Sequence, residues 1–203
     1  MPEHHPASIT GGGGRSRTTS RDELVRAAIE IIDAQGLEAV SMRTLGRSLG
    51  VSTMGLYRYV RTKEELLALV PEHLLAPTAE AVLRSDSSAT ALRVVADGLR
   101  AVLERHPHAA SLFARPTPGP LMRRAGAHCA SLLQAEGAHP AEAFDMVRAV
   151  VAQVVGEAVT AHDGSRELGI HLVLTGIQRH LESGVSPAAA TPPPGPARPR
   201  RRS

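Results

Sequence analysis

The chain has 203 residues, a formal net charge of +3 with its histidines neutral, 42% hydrophobic residues, 2% aromatics and no Trp. Its length allows one large or two modest domains, and its core must be built from Leu, Val, Ile and Ala, an alphabet that favours helix packing. The lone Cys129 excludes an intrachain disulfide, no apolar run of about 18 residues suggests a transmembrane helix, and the polar start lacks the apolar stretch of a signal peptide, so no membrane partner and a cytoplasmic location are expected.

Charge is unevenly spread. Residues 1–63 carry nine Arg or Lys against six acids, residues 64–197 carry ten against fourteen, and residues 198–203 add four Arg. Basic ends on an acidic middle suit a head that meets a polyanion and a body that does not.

Residues 1–18 are polar, with Gly11 to Gly14 in a row, and read as a disordered, flexible arm. No strand adjoins the glycines, which argues against a phosphate-cradling loop. Ser20-Arg21-Asp22-Glu23 is a capping box that opens a helix. Leu24, Ala28, Ile31 and Ile32 form its apolar face and Gly36 ends it. Ser41 caps a second helix, Met42 to Leu49, Gly50 makes a tight turn, and Ser52 caps a third helix from Thr53 to about Tyr59. Leu45, Leu49, Val51, Leu56 and Val60 are the core of this unit.

The segment from Ser41 to Lys63 holds Arg43, Arg47, Arg58, Arg61 and Lys63 with no acidic residue, a formal +5, together with both tyrosines, Tyr57 and Tyr59. A compact, basic helix-turn-helix with Arg and Tyr on its outer face is built to meet DNA phosphates. A second capping box, Thr62-Lys63-Glu64-Glu65, opens a helix through Leu66, Leu67, Leu69 and Val70 that continues, kinked at Pro71, to Ala76. Later helices are predicted at about Ala89–His106, Pro118–Gln134, Pro140–His162 and Ser165–Glu182. Valines 147, 150, 151, 154, 155 and 159 follow helical spacing, and no alternating strand pattern is present. Residues 185–203 are Pro-rich, end in Arg and read as a disordered tail.

GLEAVSMRTLGRSLGVSTMGLYRYVRTKEELLALV resembles the N-terminal domain of the TetR family of transcriptional regulators. The likeness runs from about Ser20 to Val70. It rests on Gly36-Leu37, Ser41 before Arg43, Leu49-Gly50-Val51-Ser52, Leu56-Tyr57-x-Tyr59-Val60 and Lys63-Glu64-Glu65-Leu66-Leu67. It implies an all-α fold: a three-helix head over residues 19–63 and a helical ligand-binding and dimerisation domain over residues 64–184. It also implies roles. Ser41 contacts a phosphate, Arg43 a base edge or phosphate, and Thr53, Met54 and Gly55 face bases in the major groove. Tyr57, Tyr59 and Lys63 hold phosphates. Ser52 caps the recognition helix, and Arg58 falls at a variable position. Tyr59 stands where many relatives have His or Phe. Tyr57 reads equally as a packing residue of its helix, and Arg47 and Arg61 read as solvated surface.

In the body, Pro140–His162 and Ser165–Glu182 are apolar on more than one face, so each needs two partners. The run ELGIHLVLTGI, with Gly169 and Gly176, resembles the last helix of such regulators, which implies a homodimer through the two C-terminal helices. An effector pocket among Ala89 to Gln134 is expected, with Phe113, Leu121, Met122, His128 and Leu132 as candidate wall residues; core or surface roles are the alternative for each. No cofactor or metal is expected: His106, His108, His128 and Cys129 lack ligand spacing. No catalytic grouping stands out, so the chain is not expected to be an enzyme. The reading is a transcriptional repressor that binds a palindromic operator on double-stranded DNA as a dimer and is released by a small-molecule effector. The rival readings are an activator or architectural DNA binder without inducer, or a small-molecule enzyme or carrier with a vestigial head.

Overall fold

The computed structural model describes residues 20–114, 118–160 and 166–184. The predicted arm, the Pro/Arg-rich tail and the junctions at 115–117 and 161–165 lie outside the described residues. Among the described residues the chain is all-α: α1 (Arg21–Gln35), α2 (Met42–Leu49), α3 (Thr53–Leu56), α4 (Lys63–Leu83), α5 (Ser88–Arg105), α6 (Ala110–Phe113), α7 (Pro120–Ala135), α8 (Pro140–Thr160) and α9 (Arg166–Ser183), with 3-10 turns at Leu37–Ala39 and Pro107–Ala109.

The head packs α1, α2 and α3 around Leu24, Ala28, Ile32, Val40, Leu45, Leu56 and Val60, all buried. The Ser20 capping box forms in full: the Glu23 N–H donates to Ser20 Oγ at 3.1 Å and the Ser20 N–H to Glu23 Oε2 at 3.0 Å. The Thr62 box forms only by half. The Glu65 N–H donates to Thr62 Oγ1 at 3.1 Å, but the Glu65 carboxylate accepts from the Arg61 N–H at 2.7 Å and from Arg21 at 3.0 Å. The carboxylate thereby ties the start of α4 to the start of α1.

The linking helix departs from expectation. It runs from Lys63 to Leu83, well past Ala76, and contains Pro77 as well as Pro71. Each proline removes one backbone donor and costs about 3 kcal/mol in a helix interior. Burial of Leu66, Leu67, Val70, Leu75, Ala79 and Val82 along the same helix opposes that cost, at roughly 1.5–3 kcal/mol for each large aliphatic side chain. α4 is also long and apolar enough to cross a membrane, unlike the sequence expectation. It packs against α1, α5, α6 and α7, as the core helix of a folded body does.

The body core gathers Leu75, Ala79 and Val82 of α4 with Leu92, Ala96 and Leu99 of α5, Cys129 and Leu133 of α7, Val150 and Val154 of α8, and Ile170 of α9. Two carboxylates cap helices from a distance. The Glu136 carboxylate, just past α7, accepts from the Ser88 N–H at the start of α5, at 2.7 Å. Glu72 of α4 accepts from the Leu121 N–H in the first turn of α7, at 2.8 Å. α7 begins with Pro120 and has no side-chain cap of its own, so Glu72 supplies what its local sequence lacks.

Two glycines shape the helix-turn-helix. Gly50 adopts the left-handed region, φ +68°, and ends α2. Gly46 is needed for close approach: a Cβ there would sit 2.8 Å from the Val51 carbonyl oxygen. Gly46→Ala is therefore expected to lower stability by about 1–3 kcal/mol in urea unfolding, although Ala is the better helix former. Gly126→Ala, where a Cβ meets nothing within 4 Å, is the control and is expected to stabilise by about 0.5–1 kcal/mol.

Candidate functional site

The outer face of the head is assembled from helix starts. Ser41 Oγ accepts from the Thr44 N–H at 3.1 Å while the Ser41 N–H donates to Thr44 Oγ1 at 2.9 Å. Ser52 Oγ accepts from the Gly55 N–H at 3.2 Å. The Ser52 cap uses an oxygen lone pair, which leaves its hydroxyl proton available to an external acceptor, whereas the Ser41 hydroxyl also lies 3.0 Å from Thr44 Oγ1. Neither α2 nor α3 has an acidic residue in its first turn, so the positive ends of both helices are uncompensated, an arrangement that favours an anion.

The predicted contact residues fall on this face. Ser52, Thr53, Met54, Tyr57, Arg58 and Arg43 are exposed, and Ser41, Gly55, Tyr59 and Lys63 are half-buried. Met54 is 77% exposed and Tyr57 48% exposed. Sequence reading gave Tyr57 a share in packing; it is Tyr59 that packs against the head core. The Arg58 guanidinium lies 5.7 Å from the centre of the Tyr59 ring, a cation–π distance, and its Nε donates to the Gly55 carbonyl at 3.4 Å. Lys63, the one lysine of the chain, occupies the first position of α4, where its charge opposes the helix dipole. Glu64 and Glu65 follow it in the same turn and compensate.

The recognition helix is shorter than predicted. α3 spans Thr53–Leu56, after which the Tyr59 N–H bonds to the Leu56 carbonyl at 2.9 Å and the Val60 N–H to the same carbonyl at 3.3 Å. This tightened turn delivers Val60, 1% exposed, into the head core. Gly55 weakens the helix at the same place.

Below the head lies an apolar cavity of about 350 Å³, within the range of small-molecule sites. α4 forms one wall with Leu67, Pro71, Leu75, Ala79 and Val82; Val95 and Leu99 come from α5, Leu112 and Phe113 from α6, Met122 and Ala125 from α7, and Val147 and Val151 from α8. Of the five candidate wall residues, Phe113 and Met122 line the cavity. Leu121 and Leu132 pack on the body core and are not among the residues that line it. His128 Nε2 lies 3.0 Å from the Ser85 carbonyl oxygen and does not line it. Sequence reading missed the contribution of α4. The available signal was a helix apolar on several faces and carrying two prolines.

No group of three His, Cys, Asp or Glu side chains able to hold a metal is found among the described residues. His106 Nδ1 instead lies 2.8 Å from Asp33 Oδ2. Burial, reinforced by the nearby Glu136 carboxylate, pushes the Cys129 thiol up to about 11. It is thus a protonated core residue at neutral pH and a poor ligand or nucleophile.

Residues 24–70 match the family profile described as bacterial regulatory proteins, tetR family. The chain is 33% identical over 147 residues to the HTH-type transcriptional repressor DrrR1 of Streptomyces coeruleorubidus, covering 71% of this chain and 54% of that protein. It spans about half the length of the curated relatives it matches. Its fold is similar to that of BioQ bound to its double-stranded DNA operator, with a TM-score of 0.64 and 25% identity over 80% of this chain and 99% of that one. It is also similar to a TetR variant from Acinetobacter baumannii AYE in complex with minocycline, with a TM-score of 0.66 and 22% identity over 81% and 96% of the two chains. The basic helix-turn-helix head, residues 24–70, is thus a domain of the tetR family of bacterial regulatory proteins, carried on a helical body whose fold is similar to those structures.

Proposed function

We propose that the protein is a dimeric, effector-released repressor that binds a palindromic DNA site through Ser41, Arg43, Thr53, Met54, Gly55, Tyr57, Tyr59 and Lys63. The observation that carries this reading is the exposure of Met54 and Tyr57 on a capped, uncompensated, acid-free surface. Folding alone gives no reason to hold an aromatic ring and a thioether in water there. Phosphates would take the serine hydroxyls, the tyrosines and Lys63, and base edges would meet Arg43, Thr53 and Met54. Arg58, held by the Tyr59 ring and the Gly55 carbonyl, stiffens the face. Ser52 presents the start of α3. The repressor named DrrR1 and the DNA-bound BioQ structure support this reading by likeness.

One head reads few base pairs, so two heads on two half-sites are needed. α8 and α9 each turn one face into the body core and leave the other open. On α9, Ile170 and Ile177 are buried, while Leu168 and Leu172 are each 60% exposed and Gly176 is exposed with open space around its Cα. Phe144 and Val159 of α8 are exposed as well. Leu168, Leu172 and Gly176 fall four residues apart, one stripe of a helix. A second copy of the chain covers that stripe in this reading. An effector in the cavity would bias two arrangements of the head by binding one more tightly than the other.

Two experiments test the reading, both on a palindromic site obtained by in vitro selection. Tyr57→Ala combined with Lys63→Ala is expected to weaken binding by at least about 100-fold at matched salt, from the loss of charge-assisted contacts in both heads. It should also lower the slope of log affinity against log salt by about 1.8, the share of one Lys63 per head. The dimer should remain intact; unchanged affinity removes these residues from the interface. Leu168→Glu with Leu172→Glu is expected to give a folded monomer in analytical ultracentrifugation with weakened site binding. A dimer that survives both charges places the interface elsewhere.

A further inference from the structure

The chemistry of the cavity wall narrows what it can hold. Among the described wall residues Glu64 and Glu72 are the charged ones and Thr78 adds a hydroxyl, with no Arg, Lys or His. Glu72 Oε1 accepts from the Leu121 N–H at 2.8 Å, whereas Glu72 Oε2 is buried without a hydrogen-bond partner among the described residues. Gly119 makes room for that carboxylate: a Cβ on Gly119 would fall on Glu72 Oε2. A carboxylate oxygen desolvated in an apolar wall is costly until a donor reaches it, and a cationic donor gains most. Two carboxylates, with no cation among the described wall residues, disfavour an anion.

From this arrangement we propose that the cavity binds an apolar or aromatic molecule bearing an amine or similar cation, with Glu72 as the residue that recognises the charge. The proposal rests on the reading of the cavity as the effector site. The apolar body would lie against α4 and Met122, and the cation would pair with the Glu72 carboxylate, displacing the Gly119 backbone that now covers Oε2 while Oε1 keeps its bond to the α7 N-terminus. The charge of the ligand would thus be read by the residue that ties α4 to α7.

The test uses the full chain and three probes of similar size: naphthylethylamine, naphthylethanol and naphthylacetate. In isothermal titration calorimetry the amine is expected to bind at least about 10-fold more tightly than the alcohol, and the carboxylate most weakly. Glu72→Gln keeps an acceptor for the Leu121 N–H and is expected to bring the amine within about 3-fold of the alcohol, leaving the alcohol unchanged. Glu64→Gln should preserve the preference for the amine. Gly126→Leu, which projects into open space in the cavity wall, should abolish binding of all three. Naphthylacetate binding as tightly as the amine, an amine preference that survives Glu72→Gln, or no binding of any probe overturns the proposal. If Glu72→Gln fails to fold by circular dichroism, the amine-to-carboxylate ratio of the unaltered protein decides. Affinity for the selected DNA site separates the two readings. An amine that binds through Glu72 without loosening DNA sinks the effector reading alone. Release of DNA by naphthylacetate and not by the amine sinks the ligand class alone.

Discussion

The structure hangs on one helix that belongs to two cores. Leu66, Leu67 and Val70 of α4 complete the core of the head, and Leu75, Ala79 and Val82 of the same helix lie in the core of the body. From Leu66 to Val82 is about 24 Å along a helix axis, so both cores are threaded on one strut. Polar ties secure its upper end: Glu65 holds Arg21 at 3.0 Å, and His73 Nδ1 lies 3.2 Å from Asp22 Oδ1. A second strap joins head and body where His106, at the end of α5, meets Asp33 of α1. The head has little freedom except that allowed by α4. Because the cavity wall is the same helix, whatever displaces that wall also displaces the base of the head.

The body is held against α4 by apolar burial and by carboxylates that cap helices across space. Glu72 serves α7, and Glu136, at the far end of α7, serves α5. Each satisfies N–H groups that would otherwise be orphaned at a helix start, and each links two helices that enclose the cavity. A carboxylate that is structural on one oxygen and, among the described residues, unpartnered on the other could bind a ligand without giving up its place in the fold.

The sequence made the head legible in detail and the body only in outline. Ser20, Ser41, Gly50 and Ser52 act locally, through hydrogen bonds three residues away or a single positive φ, and such signals survive in one dimension. Gly46 was not legible, because its role depends on a carbonyl oxygen that only the folded turn brings to 2.8 Å. α4 was read too short, since Pro77 looks like a stop and the neighbours that outweigh it are distant in sequence. The cavity was located only roughly. Phe113 and Met122 are apolar residues flanking the Pro-rich interruption at 116–120, but the larger share of α4 follows from packing against α5 and α7. Leu121 follows Pro120 in the chain and yet points its backbone, not its side chain, at the feature that matters.

The two glycines of α9 separate what holds the subunit together from what the subunit offers. At Gly169 a Cβ would meet the Gln153 amide and the Glu157 carboxylate, so these two side-chain ends fill the space that glycine leaves between α9 and α8. At Gly176 a Cβ meets nothing, and the position is exposed between outward-facing side chains. A glycine in a helix costs about 1 kcal/mol relative to Ala. Gly169 offsets part of that cost inside the subunit by close packing; Gly176 finds no such return among the described residues. Close approach of another helix along the stripe of Leu168 and Leu172 would supply it, for the same steric reason that operates at Gly169. The distance between two heads would then be set by how tightly α8 and α9 meet their copies, and α4 would carry that distance to the surface on which Tyr57 and Lys63 stand.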